Sequence, residues 1–308
     1  MKVGLIDLEK NGFPNIALMK ISAWHKKHGD CVEWYEPLWS GHMDLVYISK
    51  VFSFTPDYEY FIDADEITKG GSGYCISLVD GKEIFDKAKD VKLPGEIEHI
   101  YPDYAIYGIT DTAYGFMSRG CPRQCDFCHV KEKEGTVSRK VADLEEFWNG
   151  QKYIELMDPN TLACCEWENI LDQLIDSKAY VDFNQGVDAR LLTPGKIEKI
   201  KKIKIKNIHF AWDRYKDRDI VLPKLKMFKE MTGWNRDKVA VYVLCGYDST
   251  MEENLERIEE IRKLNFQPYV MLYDKQHIKR EDELRKLQRW VNAKQAFWKC
   301  SFEEYQRR

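Results

Sequence analysis

From residue 113 onward the sequence keeps changing its hydrophobic period, and this switching limits the fold more than any other feature does. Runs of strand length, "AYGFMSR", "YIELMD", "AYVDFNQ", "NIHFAWD", "VAVYVLCG" and "PYVMLYD", alternate with stretches whose apolar residues recur every three or four positions. Those stretches include "WENILDQLIDS", "TPGKIEKIKKI", "LPKLKMFKEMTG" and "TMEENLERIEEIRKL". Strand, helix and strand in strict alternation is the repeat of a parallel α/β fold. With "EDELRKLQRWVNAKQ" as the helix after the last strand there are six such units. That falls short of the roughly 250 residues of a closed eightfold barrel, so the expectation is an open, partial (β/α)6 barrel over residues 111–275. Reactive groups then belong on loops at the carboxyl ends of its strands.

The first hundred residues alternate as well. "KVGLIDL" reads as a strand, "NIALMKISAWHKKHG" as a helix with Ile16, Leu18, Met19, Ile21 and Trp24 on one face, and "CVEWYEP" and "DLVYISKVFSF" as further strands. "KGGSGYCISL" starts with a glycine turn and continues as another apolar run. That order predicts a small Rossmann-like parallel sheet over residues 1–110, including a connector with "KLPGE" and "YPDY", and a boundary near Asp111. The whole chain therefore reads as α/β, in two domains plus a helical extension over 276–308.

No apolar run approaches the roughly 20 residues needed to span a bilayer, and the amino-terminal apolar run is too short for a signal peptide, so the expectation is a cytoplasmic protein without a membrane partner. The net charge of −4 gives no global pull toward nucleic acid. Nine cysteines, an odd number without export signals, argue against a disulfide framework. Six are scattered, and three cluster in "MSRGCPRQCDFCHV", Met117 to Val130.

Several metal or redox chemistries compete for that window. A structural zinc needs a fourth ligand, and His129 follows Cys128 too closely to fold back easily. "CDFCH" has the c-type haem spacing, which belongs to exported proteins, and a redox pair leaves Cys121 unexplained. A [4Fe-4S] cluster on three cysteines accounts for all of them and leaves one iron open to a small ligand.

C-x3-C-x2-C with an aromatic before the last cysteine, on the loop after the first strand of such a barrel, resembles the radical SAM superfamily. "SRGCPRQCDFC" is similar to the subgroup whose barrel follows a cobalamin-binding-like domain, and the resemblance covers residues 1–275. It implies a cluster held by Cys121, Cys125 and Cys128, with S-adenosylmethionine on the open iron. Reductive cleavage of that cofactor then yields a 5′-deoxyadenosyl radical that abstracts hydrogen from a substrate. Phe127 is expected against the adenine, and His129 is not a ligand. By strand-end position, Asp158 and Asn160 are candidates for the methionyl amine, although Asp158 is equally suited to cap the next turn. Gln185 and Arg190 are candidates for carboxylate, ribose or substrate, Asp213 for the place where relatives carry a glutamate, and Gly246 for the backbone approach to adenine.

The amino-terminal domain departs from the resemblance. "DLEKNG", Ser49 and the pair Gly70, Gly71 keep the outline of a cobalamin motif, but Glu9 stands where the cobalt-ligating histidine belongs. The domain is also short for a cavity that encloses a corrin, which favours a vestigial domain without cobalamin; with no further cysteine cluster in the sequence, a single iron-sulfur cluster is expected. Two alternatives remain beside the radical SAM enzyme: a cobalamin-dependent radical SAM methyltransferase, and a non-enzymatic iron-sulfur or zinc-binding interaction module. The resemblance also implies an electron donor such as flavodoxin or ferredoxin. In the tail from Lys275 to Arg308, ten Lys/Arg face five Asp/Glu among Trp290, Phe297, Trp298, Phe302 and Tyr305. Its main reading is an amphipathic helix closing the barrel with Leu284, Leu287 and Trp290 inside, and its lesser one a nucleic-acid contact.

Overall fold

A computed structural model describes residues 1–9, 11–79 and 82–306. The strands β1 (Lys2–Asp7), β2 (Cys31–Trp34), β3 (Met43–Ser49) and β4 (Ala64–Gly70) form a parallel sheet in the order β2-β1-β3-β4. The helix Ile16–Lys27, capped by the Asn15 side chain on the Leu18 N–H, covers one face. There Val3 and Leu5 meet Leu18 and Ile21, as the alternation of a strand requires.

The opposite face departs from the Rossmann-like expectation. Residues 35–42 and 50–63, which carry the chain from β2 to β3 and from β3 to β4, contain no helix. Ile6, Val46 and Ile48 are covered there by Tyr35, Tyr58 and Ile62 from those loops. The fourth strand is also not the expected one. "ADEITKG" pairs with β3, whereas Ile76–Val79 (β5) forms an antiparallel hairpin with Lys82–Phe85 (β6) outside the sheet.

The second sheet holds the six expected strands: β7 (Thr112–Gly115), β10 (Tyr153–Leu156), β11 (Tyr180–Val187), β12 (Ile205–Ala211), β13 (Val239–Cys245) and β14 (Gln267–Leu272). Between β7 and β10 lies a two-residue antiparallel pair, β8 (Ser118–Arg119) with β9 (Arg139–Lys140). The six strands are parallel and lie side by side in chain order, with β7 and β14 at the edges. Their helices bury Ile170, Leu171, Ile197, Ile200, Leu225, Phe228, Ile258 and Ile261 against one face of the sheet in one continuous core.

The carboxyl end of this sheet is tied from behind. Arg257, fully buried on the helix Met251–Lys263, donates to the carbonyl oxygens of Trp212 (2.8 Å), Asp213 (2.7 Å) and Leu244 (2.9 Å) and to Asn254 Oδ1 (2.6 Å). The edge strand β14 is closed by amides instead of another strand. Asn292 accepts from the Val270 N–H at 2.8 Å and donates to the Val270 carbonyl at 3.0 Å, which Gln288 also reaches at 3.1 Å. Both amides sit on the helix Glu283–Asn292, whose Leu287 and Trp290 are fully buried together with Phe297 of the next helix. The aromatic residues that made nucleic acid a candidate partner are thus largely core: Trp290, Phe297 and Phe302 have no face free for a base to stack on.

Arg257→Met removes the only donor on three strand-end carbonyls among the described side chains, and buried acceptors left unpaired cost about 1–3 kcal/mol each. Urea denaturation should show a loss of at least ~3 kcal/mol relative to the parent chain.

Candidate functional site

After Gly115 the chain leaves the sheet, and Asp158, just past the end of the adjacent strand β10, sets the direction. Its Oδ1 accepts from the Met117 N–H at 2.7 Å and its Oδ2 from the Ser118 N–H at 2.8 Å, while the Ser118 and Thr161 hydroxyls donate to Oδ2 at 2.5 and 3.3 Å. Burial pushes the Asp158 carboxyl up to about 7, against four donors that each favour the ionised form.

Beyond Ser118 the segment closes into a lasso. Glu134 accepts from the Arg119 guanidinium at 3.1 Å and from the Gly120 N–H at 3.2 Å, and the Cys121 N–H donates to the Gly135 carbonyl at 3.2 Å. Gly120 sits at φ +88°, where a Cβ would stand 2.2 Å from the Val137 carbonyl oxygen, so only glycine fits this neck. His129 lies on the outside of the loop, 3.3 Å from Glu83 and stacked on Phe85, and so docks the β5–β6 hairpin against it.

Cys121, Cys125 and Cys128 lie on the irregular stretch between the neck and the helix Val130–Glu134, all half-buried. Burial pushes the Cys125 and Cys128 thiols up. Cys121 raises both further, Cys125 adds to the effect on Cys128, and Arg190 pulls Cys125 the other way. Among the described residues no three His, Cys, Asp or Glu side chains stand close enough together to hold an ion as they are. The donor chemistry nevertheless fits a thiolate-ligated centre. Ionisation of Cys125 and Cys128 is opposed by burial and by the neighbouring cysteines, which a cationic core relieves. Asn160 Nδ2 donates to Cys121 Sγ at 3.4 Å, and Asn160 Oδ1 is buried beside it with no donor.

A pocket of about 170 Å³ opens next to Cys125, walled by Phe127, Arg190, Asp213 and Arg214. Arg190 is held in place by Asp188 at 2.8 Å and Asp217 at 3.0 Å, and Arg123 reaches the other Asp188 oxygen at 2.7 Å. Arg214 bonds Asp126 at 2.8 Å, lies 5.8 Å from the Phe127 ring centre and 5.6 Å from that of Tyr247, and keeps a buried Nε without a hydrogen bond. Burial pushes the Asp213 carboxyl up to about 6, with Arg257 and Arg190 opposing, and among the described residues it makes no ion pair within 4 Å.

The sequence-predicted residues divide accordingly. Cys125, Phe127, Arg190 and Asp213 share one pocket, and Asn160 adjoins it through Cys121. Asp158 does not reach the pocket: its carboxyl is occupied by the backbone that launches the loop, the capping role extended to a neighbouring strand. Gln185 is exposed on the irregular part of β11, and Gly246, at φ +82°, packs toward Leu284. Glu9, at the expected cobalt-ligand position, accepts from the Val51 and Phe52 N–H groups at 2.8 and 3.1 Å. Arg214, Arg123 and Tyr247 were not foreseen. Only the adjacency of Arg214 to Asp213 in "WDRY" could have pointed to any of them.

No protein-family model matches the chain, and no curated protein does either.

Asp158→Ala strands two backbone N–H groups and two hydroxyls in a buried site, at about 1–3 kcal/mol for each donor left unpaired. The expected result is a stability loss of at least ~3 kcal/mol in urea denaturation. Limited proteolysis should also move its first cuts into residues 119–138.

Proposed function

We propose that the chain is a radical S-adenosylmethionine enzyme with a single [4Fe-4S] cluster on Cys121, Cys125 and Cys128. The observation that carries the proposal is a three-thiol loop leaving the first strand of a six-stranded parallel sheet beside a pocket of arginine, aspartate and phenylalanine. On this reading the six-stranded sheet is a partial (β/α)6 barrel, and the four-stranded sheet a Rossmann-like domain stripped of half its helices. When bound, the cluster supplies an electron that cleaves the sulfonium of S-adenosylmethionine and starts hydrogen abstraction from the substrate.

The chain's own residues then bind and orient. Three half-buried thiols would hold the cluster as thiolates, and the Asn160 N–H on the Cys121 sulfur would offset negative charge added on reduction. Phe127, edge-on to Tyr247 with ring centres 5.2 Å apart, gives a flat face for the adenine, and the Arg214 guanidinium lies beside both rings. Arg190 and Arg214 are the cations for the methionyl carboxylate, and Asp213 is the acceptor for its amine. Asp158 acts one step back, as a positioning residue that aims the loop. Gln185 and Gly246 have no part in this pocket.

The Glu9 contacts favour a domain without cobalamin, because the carboxylate at the ligand position is built into the next loop. A small electron-transfer protein such as flavodoxin or ferredoxin would supply the electron, in a cytoplasmic setting.

Anaerobic reconstitution with iron and sulfide should load about four of each per chain, and dithionite with S-adenosylmethionine should then release 5′-deoxyadenosine and methionine. Serine at any of the three cysteine positions should abolish both. A chain that loads zinc instead, or one with an intact cluster that never cleaves S-adenosylmethionine, overturns the proposal. Arg214→Ala should weaken S-adenosylmethionine binding about tenfold or more while leaving iron content unchanged, measured by calorimetry on the loaded protein.

A further inference from the structure

The amino-terminal sheet leaves a cavity of about 700 Å³ at the carboxyl ends of β1 and β2, where parallel α/β sheets bind their ligands. Six of its lining residues are aromatic: Trp34, Tyr35, Trp39, Tyr58, Tyr60 and Tyr107. Its inner walls are fixed by hydrogen bonds. The Trp34 indole donates to the Ile106 carbonyl at 2.9 Å, the Tyr35 hydroxyl accepts from the Asp63 N–H at 2.9 Å, and the Tyr107 hydroxyl donates to Asp7 at 2.6 Å. At the mouth the aromatic side chains are uncovered, with Trp39 84% and Tyr60 74% exposed. Rigid rings inside and bare rings at the rim are what a preorganised binding site requires, and they cost the isolated domain solvation.

The charge of the site selects among ligands. Its lining includes the carboxylates Asp7 and Glu36 and, among the described residues, no lysine or arginine. Farther out, Glu33 pairs with Lys2, Asp57 with Lys69, and Asp63 and Asp65 with His42, so the negative charge of the site itself comes from its own lining, chiefly from the exposed Glu36. An anion such as a phosphate would meet two carboxylates and, among the described lining residues, no cationic side chain. A positive group gains twice, from the negative faces of the rings and from the surrounding carboxylates.

We propose that this cavity binds an organic cation, an amine or quaternary ammonium group on an apolar or aromatic body, with Trp39 and Tyr60 closing over it and Glu36 facing its charge. The site is separate from the cysteine loop and stands whether or not that loop carries a cluster. Calorimetry on the full chain at low salt, with benzyltrimethylammonium and benzylsulfonate as probes of similar size and opposite charge, tests it. The cation should bind about tenfold or more tightly than the anion. Trp39→Ala with Tyr60→Ala should weaken it about tenfold, and Glu36→Gln about threefold; all three residues are exposed, so the melting temperature should stay at the parent value. Equal affinity for the two probes, no binding of either at millimolar concentration, or an unchanged affinity in a double variant that melts like the parent overturns the proposal.

Discussion

Asp158 occupies the point where the cysteine segment departs from the larger sheet, and its carboxyl group takes hydrogen bonds from the backbone of the neighbouring strand's exit. A parallel strand normally runs straight into the loop that follows it. Here two successive N–H groups, of Met117 and Ser118, are turned away from the sheet toward one buried acid. The lasso that follows has little hydrophobic cover of its own, since its thiols and the short helix after them are only half-buried. Its geometry is therefore inherited from its ends, Asp158 at the root and Glu134 at the neck, and from the polar contacts of Arg123 with Asp188 and of Asp126 with Arg214 between them.

The pocket beside the loop follows from the sheet in the same way. Parallel strands in sequential order bring the ends of β11 and β12 next to each other, and with them Arg190, Asp213 and Arg214, residues far apart from the cysteines in sequence. Arg257 fixes the ends of β12 and β13 from behind through the Trp212, Asp213 and Leu244 carbonyls. Arg190 is in turn held by Asp217 and by Asp188, which Arg123 and the Arg190 N–H also hold, so its charge is set before any ligand arrives. Electrostatic preorganisation of this kind is expensive to bury, which fits its location at a rim and not in the core.

What could be read from sequence depended on how local the cause was. The six strands of the larger sheet were legible as short apolar runs, most of them flanked by helical periods. β4 was not: "ADEITKG" has a single β-branched aliphatic residue, since an edge strand with mostly exposed side chains needs no apolar alternation, and only pairing with β3 makes it a strand. The missing helices on the second face left no signal either, because loops rich in tyrosine and phenylalanine resemble strands by composition. The cysteine spacing is local and was readable. That Asp158 would be consumed by backbone was not, because main-chain donors carry no side-chain signature. Arg214 joins the site through packing of the folded chain, and its place next to Asp213 is the single trace of this in the sequence.

The closure of β14 by Asn292 and Gln288 has a bearing on how such a chain can change over evolutionary time. Two amide side chains satisfy the outward-facing groups of Val270 that would otherwise recruit a further strand, from this chain or from another copy. A sheet terminated by side chains can have material appended after its last helix without reopening its architecture, because the boundary lies in the helix and not in the length of the chain. The same economy makes the boundary fragile to point change. Two residues, neither on the cysteine loop nor fully buried, separate a sheet that stops from one with an open edge.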